Sequence, residues 1–307
     1  MERKPQMTPD DLASLPSSGF REPPRGAAWM QVNVALVRAD GDAIPSARAL
    51  FGAVVPRLDR FDRDGALHGW FFMRKPPDVR MRILVDAEAD DVAGALDRTL
   101  QDTQDRGQIE RFFWSEYAPE QERFGGPDGM MLAHAYFHVD SRLWFHLDEL
   151  DARGVRKATA DEILPAIVHD MFQRCCGPER ADQAWRELDA LVCDTRIIAD
   201  LGAPSLPSAL DALAFAQGRD SEEGAVLRSY VAANELLCKG LAGLEDDLPV
   251  DRSPSAIAAT VALFNLNRHG FRGERSAAMT ARVILAIDAQ QSKRQAITDT
   301  QRQHIKR

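Results

Sequence analysis

Between Trp29 and Tyr117 the hydrophobic period of the chain alternates between strand and helix values, and that order of segments limits the fold more than any other feature. Order begins at Trp29, where MQVNVALVRA is a β-branched, apolar run of strand length. SARALFGAVVPRLDR (46–60) has helical spacing, with Pro56 expected to break or kink it near its end. LHGWFFMR (67–74) and VRMRILVD (79–86) read as two strands joined by a turn at Pro76-Pro77-Asp78. DAEADDVAGALDRTLQDTQDRG opens acidic, spaces Val92, Leu96 and Leu100 helically, and stops at Gly107. IERFFWSEY (109–117) is a fourth strand. The order β-α-β-β-α-β is that of the split βαβ, or ferredoxin-like, unit.

After residue 118 only helical periodicity remains, in segments 128–150, 160–174, 179–198, 208–217, 221–242, 253–268 and 273–290. The expected fold is therefore α+β: a ferredoxin-like βαββαβ N-terminal half followed by a mainly helical C-terminal half packed on it. One domain is expected over 29–290, with a sheet-forming part (29–118) and a helical part (119–290). Residues 1–28, rich in Pro, Ser and charge, read as a flexible arm, and the polar, basic 291–307 as a frayed tail.

A net charge of −9 and a pI near 5.3 argue against broad nucleic-acid or membrane-surface binding. Any anion site must be local. No nucleotide-binding glycine loop, G-x-S-x-G elbow or HExxH is present, which disfavours ATP chemistry, serine hydrolysis and zinc hydrolysis. Cys175, Cys176, Cys193 and Cys238 form no CxxC, and are expected as reduced, mostly buried thiols. The N-terminal segment is polar and no apolar run approaches the ~20 residues of a membrane span, so a soluble, cytoplasmic chain is expected.

Three clusters carry candidate chemistry. In MRKPPDVRMRIL, alternation puts Arg80 and Arg82 on one strand face with Leu84, and Val79, Met81, Ile83 and Val85 on the other. Of Arg74 and Lys75, only one can join them. Such an arginine pair is either a solvated face with acidic partners or a platform for carboxylate or phosphate, which guanidinium forks fit well. Next, YAPEQERFGGPDGM places Glu120, Glu122 and Arg123 before Gly125-Gly126, a loop whose backbone can approach a ligand closely. Third, FNLNRHGFRGER sets Asn267, Arg268, His269 and Glu274 around Gly270 and Gly273; it reads as a helix C-cap or as a functional junction. His134 and His138, four residues apart, are half of a metal site or ordinary packing; no further His or Cys falls at useful spacing, so no metal and no cofactor is implied.

Taken in order, these elements resemble the lantibiotic-dehydratase C-terminal, or elimination-domain, family, whose stand-alone members are thiopeptide-type bacteriocin biosynthesis proteins. The resemblance runs from about Trp29 to about Ala286. It rests on Trp70-Phe71-Phe72 before Arg80-x-Arg82, on Tyr117-x-Pro119-Glu120-x-x-Arg123-Phe124-Gly125-Gly126, on Asp140-Ser141, and on Asn267-Arg268 with Glu274 downstream. It implies action on a ribosomally made precursor peptide whose Ser or Thr has been glutamylated by a separate glutamyl-tRNA-dependent partner. Loss of the α-proton and of glutamate then leaves dehydroalanine or dehydrobutyrine. Arg80, Arg82 and Arg123 match the family positions that hold the glutamyl group; Arg74, Glu120, Gly125, Gly126, Asn267, Arg268 and Glu274 are the accompanying substrate-binding candidates. The resemblance leaves tRNA contact to the partner, implies no membrane, and suggests a homodimer.

The chain departs from the family at the acid/base histidine. Leu263 stands four residues before Asn267-Arg268, where many eliminating members carry that imidazole, and Asn265 holds the next His position. His269 is the substitute if its turn directs it into the same pocket. The departure also fits the family's pyridine synthase branch, which joins two dehydroalanines by a formal [4+2] cycloaddition with leader release and works largely by orientation. A third reading is a non-catalytic partner that presents the precursor to other enzymes.

Overall fold

The computed structural model describes residues 26–86, 90–192, 221–244, 246, 248–249 and 252–305. The segment 208–217 and residue Cys193 lie outside them. The chain divides into two compact units, Met1–Gly154 and Val155–Arg307.

The first unit holds one antiparallel sheet of β1 (Ala27–Leu36), β2 (Leu67–Met73), β3 (Val79–Asp86) and β4 (Ile109–Ser115), in the order β2-β3-β1-β4. With α1 (Ile44–Arg63) and α2 (Asp90–Asp105) as crossovers, this is the ferredoxin-like arrangement. Val32, Val34 and Leu36 of β1 and Val79, Met81, Ile83 and Val85 of β3 bury one sheet face against Leu50, Phe51, Val54 and Leu58 of α1 and Val92, Leu96 and Leu100 of α2. The helix α1 does not end near Pro56: it runs on to Arg63. Proline removes one backbone donor, but Val54, Val55 and Leu58 stay fully buried on either side of it, and that burial outweighs the lost bond.

The unit extends past residue 118 to include α3 (Pro127–Ala152), which lies along β2. That helix closes the outer edge of the sheet with side chains. The Trp70 N–H donates to Nδ1 of His138 at 3.0 Å, and the Phe72 N–H to Oγ of Ser141 at 3.3 Å. An exposed edge strand invites pairing with other chains, and a buried one strands its donors; α3 resolves both problems. Gly129 lets it fit, because a Cβ there would stand 1.8 Å from the carbonyl oxygen of Phe124.

The second unit is helical: α4 (Ala160–Cys176), α5 (Ala181–Val192), α6 (Glu222–Gly243), α7 (Pro254–Arg268) and α8 (Glu274–Ile305). Thr159 and Glu162 cap α4 reciprocally, and Ser221 and Ser253 cap α6 and α7. The segment 291–305, read as a frayed tail, continues α8. The cysteines need correction: Cys175 and Cys238 form a disulfide between α4 and α6, whereas only reduced thiols were expected. Their separation of 63 residues gives no spacing signal, since the link follows from α4 lying beside α6. Cys176 remains a thiol, pushed up to about 11 by burial and, next, by the charge of Glu187.

Replacing His138 by Leu keeps the bulk but strands the Trp70 N–H, at a cost of about 1–3 kcal/mol. The expected readout is a lower urea midpoint with an unchanged slope.

Candidate functional site

Antiparallel pairing, not sequence proximity, decides which side chains meet on the other face of the sheet. Arg82 stands opposite Gln31 on β1 and Phe71 on β2; Arg80 stands opposite Asn33 and Met73. No cation of the hairpin therefore faces another across the ladder, which removes the repulsion that so many positive residues would otherwise cause. Arg74 leaves this face: its guanidinium lies 5.0 Å from the Trp144 ring and 5.9 Å from that of Phe72. Lys75 goes to the loop instead, 3.4 Å from Glu120.

Arg82 is 5% exposed and fixed from several directions. Its Nε donates to Oε1 of Gln31 at 2.9 Å. Gln31 in turn donates to Oγ of Ser115 at 2.9 Å, and Asn33 to the same oxygen at 2.7 Å, so a polar relay crosses from β3 to β4. The guanidinium also lies 4.1 Å from the centre of the Tyr117 ring and 5.2 Å from that of Phe71. Arg80, half-buried, donates from Nε to the Pro76 carbonyl at 2.9 Å; among the described residues no carboxylate pairs with it.

Tyr117 is the pivot of this face. Its hydroxyl shares a 2.8 Å hydrogen bond with Nε2 of His134, and both rings pack with Trp29 and Phe71. Burial pushes the Tyr117 phenol up to about 12, with Arg82 opposing and Glu120 assisting. Burial, then the charge of Arg82, pushes His134 down to about 3, so both groups are neutral at pH 7. Neither residue was a candidate for this site from sequence: His134 stood out only by its spacing from His138. The i, i+4 pair is not a shared site, because His138 turns to the β2 backbone while His134 turns to Tyr117. Among the described residues no group of three or more His, Cys, Asp or Glu is placed to hold a metal ion.

The loop after Tyr117 carries the next charges. Glu120 accepts from Nη1 of Arg123 at 2.7 Å while receiving Lys75 on its other oxygen. Burial raises the Glu120 carboxyl, but the hydrogen bond from Arg123 and the Lys75 charge outweigh it and hold the group below its ordinary range. Gly125, at φ 80°, ends the single 3-10 turn Gln121–Phe124, and Gly126, at φ 108°, precedes α3. Those backbone angles alone account for both glycines.

The third cluster belongs to the second unit. Arg268 is fully buried on α7; His269, at its C-cap, shares a 3.1 Å hydrogen bond from Nε2 to the Tyr230 hydroxyl. Asn267, the residue before Arg268, is half-buried, and Glu274 is exposed in the first turn of α8. Leu263 is half-buried on α7.

A ferredoxin-like sheet presenting buried arginine beside an acid-bridged loop defines an α+β protein. The chain belongs to the family described as lantibiotic biosynthesis dehydratase C-term, whose profile matches residues 29–270. Its fold is similar to that of the tRNA-dependent lantibiotic dehydratase MibB from Microbispora sp. 107891, with TM-score 0.64 and 17% identity over 89% of this chain and 29% of MibB. The chain thus spans less than a third of MibB's length. It is also similar to TsrL, with TM-score 0.56 and 14% identity over 87% of this chain and 96% of TsrL. No curated protein sequence matches. Among the described residues no helix is long and apolar enough to cross a membrane.

The buried imidazoles give a pH dependence. Burial pushes His134 down to about 3 and His138 down to about 4, from the 6.5 of an ordinary His. As pH falls below 6.5 the unfolded chain takes up protons that the folded chain refuses, so stability drops on acidification, by up to about 1.4 kcal/mol per pH unit for each group. The urea midpoint is expected to fall from pH 7 to pH 5, and His134→Gln to flatten that fall.

Proposed function

We propose that the chain removes glutamate from glutamylated Ser or Thr of a precursor peptide, giving dehydroalanine or dehydrobutyrine, after a separate glutamyl-tRNA-dependent protein has installed the glutamyl group. The observation that carries this reading is the preorganised arginine face: Arg82 fixed by Gln31 and the Tyr117 ring, with Arg80 one rung away on the same face. In the reaction a base takes the α-proton, its electron pair becomes the Cα–Cβ double bond, and the Cβ–O bond breaks with glutamate leaving as a carboxylate. Negative charge builds on the enolate-like carbonyl and on the departing oxygen. Guanidinium groups already held in place stabilise that charge without reorganising, a device worth about 10²–10³ in rate per donor.

Arg123 supports the leaving carboxylate in this reading, by exchanging Glu120 for the substrate. His134 is too weak a base for the α-proton, being pushed down to about 3 and bonded to Tyr117. Work on a newly made precursor sets the cytoplasm as the compartment.

Leu263 favours a second reading, the pyridine-forming cycloaddition, because an apolar side chain stands where the family's imidazole is expected and bond formation between two dehydroalanines needs no base.

Incubation with a glutamylated precursor and with a dehydrated, azole-bearing precursor separates the two, read by mass. Glutamate loss from the first supports elimination; leader release from the second supports cycloaddition; no change in either sinks both. For elimination, Arg80→Ala and Arg82→Lys are each expected to slow glutamate release by about 10²-fold or more while precursor binding persists. Unchanged turnover in both variants would overturn the arginine assignment.

A further inference from the structure

One rung beyond Arg82, on the same sheet face, lies a cavity of about 200 Å³. On that rung Leu84 stands opposite Trp29 on one side and Gly69 on the other. Met130, Met131 and His134 complete most of its wall from α3. The volume far exceeds the ~10–15 Å³ that one water needs, so this is more than a packing defect.

Its existence traces to Gly69. Strand β2 puts Gly69, Phe71 and Met73 on this face, and the two larger side chains are fully buried. A Cβ at Gly69 would meet nothing nearer than Nδ1 of His138 at 4.0 Å, so the backbone is not crowded there; the absent side chain simply leaves open space. The lining carries no carboxylate, ammonium or guanidinium group among the described residues. Of its three imidazoles, burial keeps His134 and His138 neutral at pH 7, while His68 is bonded to Asp86 at 2.8 Å. Apolar residues such as Trp29, Leu84, Met130 and Met131 dominate the wall and His68 is already paired with Asp86, so the cavity suits an uncharged, mainly apolar ligand better than a charged one.

Its position fixes what that ligand belongs to. Successive same-face residues of a strand are about 7 Å apart, which is also the spacing of residues i and i+2 in an extended peptide. The wall of the cavity is continuous with the site, since Trp29 and His134 both contact Tyr117, and Tyr117 stacks on Arg82.

We propose that this cavity is a specificity pocket for an uncharged apolar side chain of the precursor peptide, two residues from the group held by Arg80 and Arg82. The inference rests on the proposed peptide-processing role and names the sequence context that the same site selects. An apolar neighbour buries in the pocket, a glycine leaves it empty, and an aspartate must desolvate its charge with no partner.

Binding of three acetylated, amidated heptapeptides tests it, each with a central glutamate as a stable carboxylate and with Leu, Gly or Asp at both positions two residues away. Calorimetry should show the Leu probe binding about tenfold or more tighter than the Gly probe, and the Asp probe weakest. Gly69→Leu fills the pocket from its floor, and Met131→Trp obstructs it from a position that is 36% exposed, where folding is little at risk. Either variant should reduce the Leu-over-Gly preference to less than about twofold while leaving the Gly probe's affinity unchanged. Equal affinity for Leu and Gly probes in the wild type, no measurable binding of the Leu probe, or a preference that survives both variants would overturn the proposal. Failure of the processing role looks different: the Leu preference persists, but neither precursor is converted.

Discussion

The first unit depends on how the outer edge of β2 is closed. A sheet edge buried in protein must find acceptors for its N–H groups, and here they come from His138 and Ser141 rather than from another strand. Because both acceptors sit on one face of α3, they fix the height and rotation of that helix against the sheet. His134 lies one turn before His138 on the same face. The edge closure thus also delivers the imidazole that holds Tyr117, and through Tyr117 the ring that covers Arg82. Stability and site share one helix register.

The arginine face shows how a chain with net charge −9 gathers cations locally. Long-range potential contributes little, since exposed charges are screened within about 10 Å. What matters is placement. The cross-strand partners of Arg80 and Arg82 are amides, an aromatic ring and a thioether side chain, so the ladder sets no like charge against either guanidinium. The bridging carboxylate of Glu120 keeps Lys75 and Arg123 together in the loop, a short step along the chain from Tyr117.

Much of the fold was legible because strand and helix periods differ so plainly. Alternation alone put Arg80 and Arg82 on the face opposite Met81 and Ile83, and the same rule separated Arg74 from Lys75. The sequence was less informative wherever two distant segments decide the outcome. Nothing in Tyr117 or His134 separately marks them as partners, because their 2.8 Å contact requires α3 to lie along β2. Gly125 and Gly126 drew attention as a ligand loop, yet Gly129 is the position where a side chain is sterically impossible. Pro56 misleads for the same reason: local backbone rules yield when the flanking residues are buried.

The disulfide carries a topological consequence. Cys175 and Cys238 close a covalent ring that contains every residue between them, including α5 and the segment from 193 to 220. A single proteolytic cut anywhere inside that ring leaves the protein in two pieces that stay joined through sulfur. Under oxidising conditions such a cleaved molecule would keep its full mass and separate only when a thiol reductant is added, so α4 and α6 would remain tethered even after the chain between them was broken.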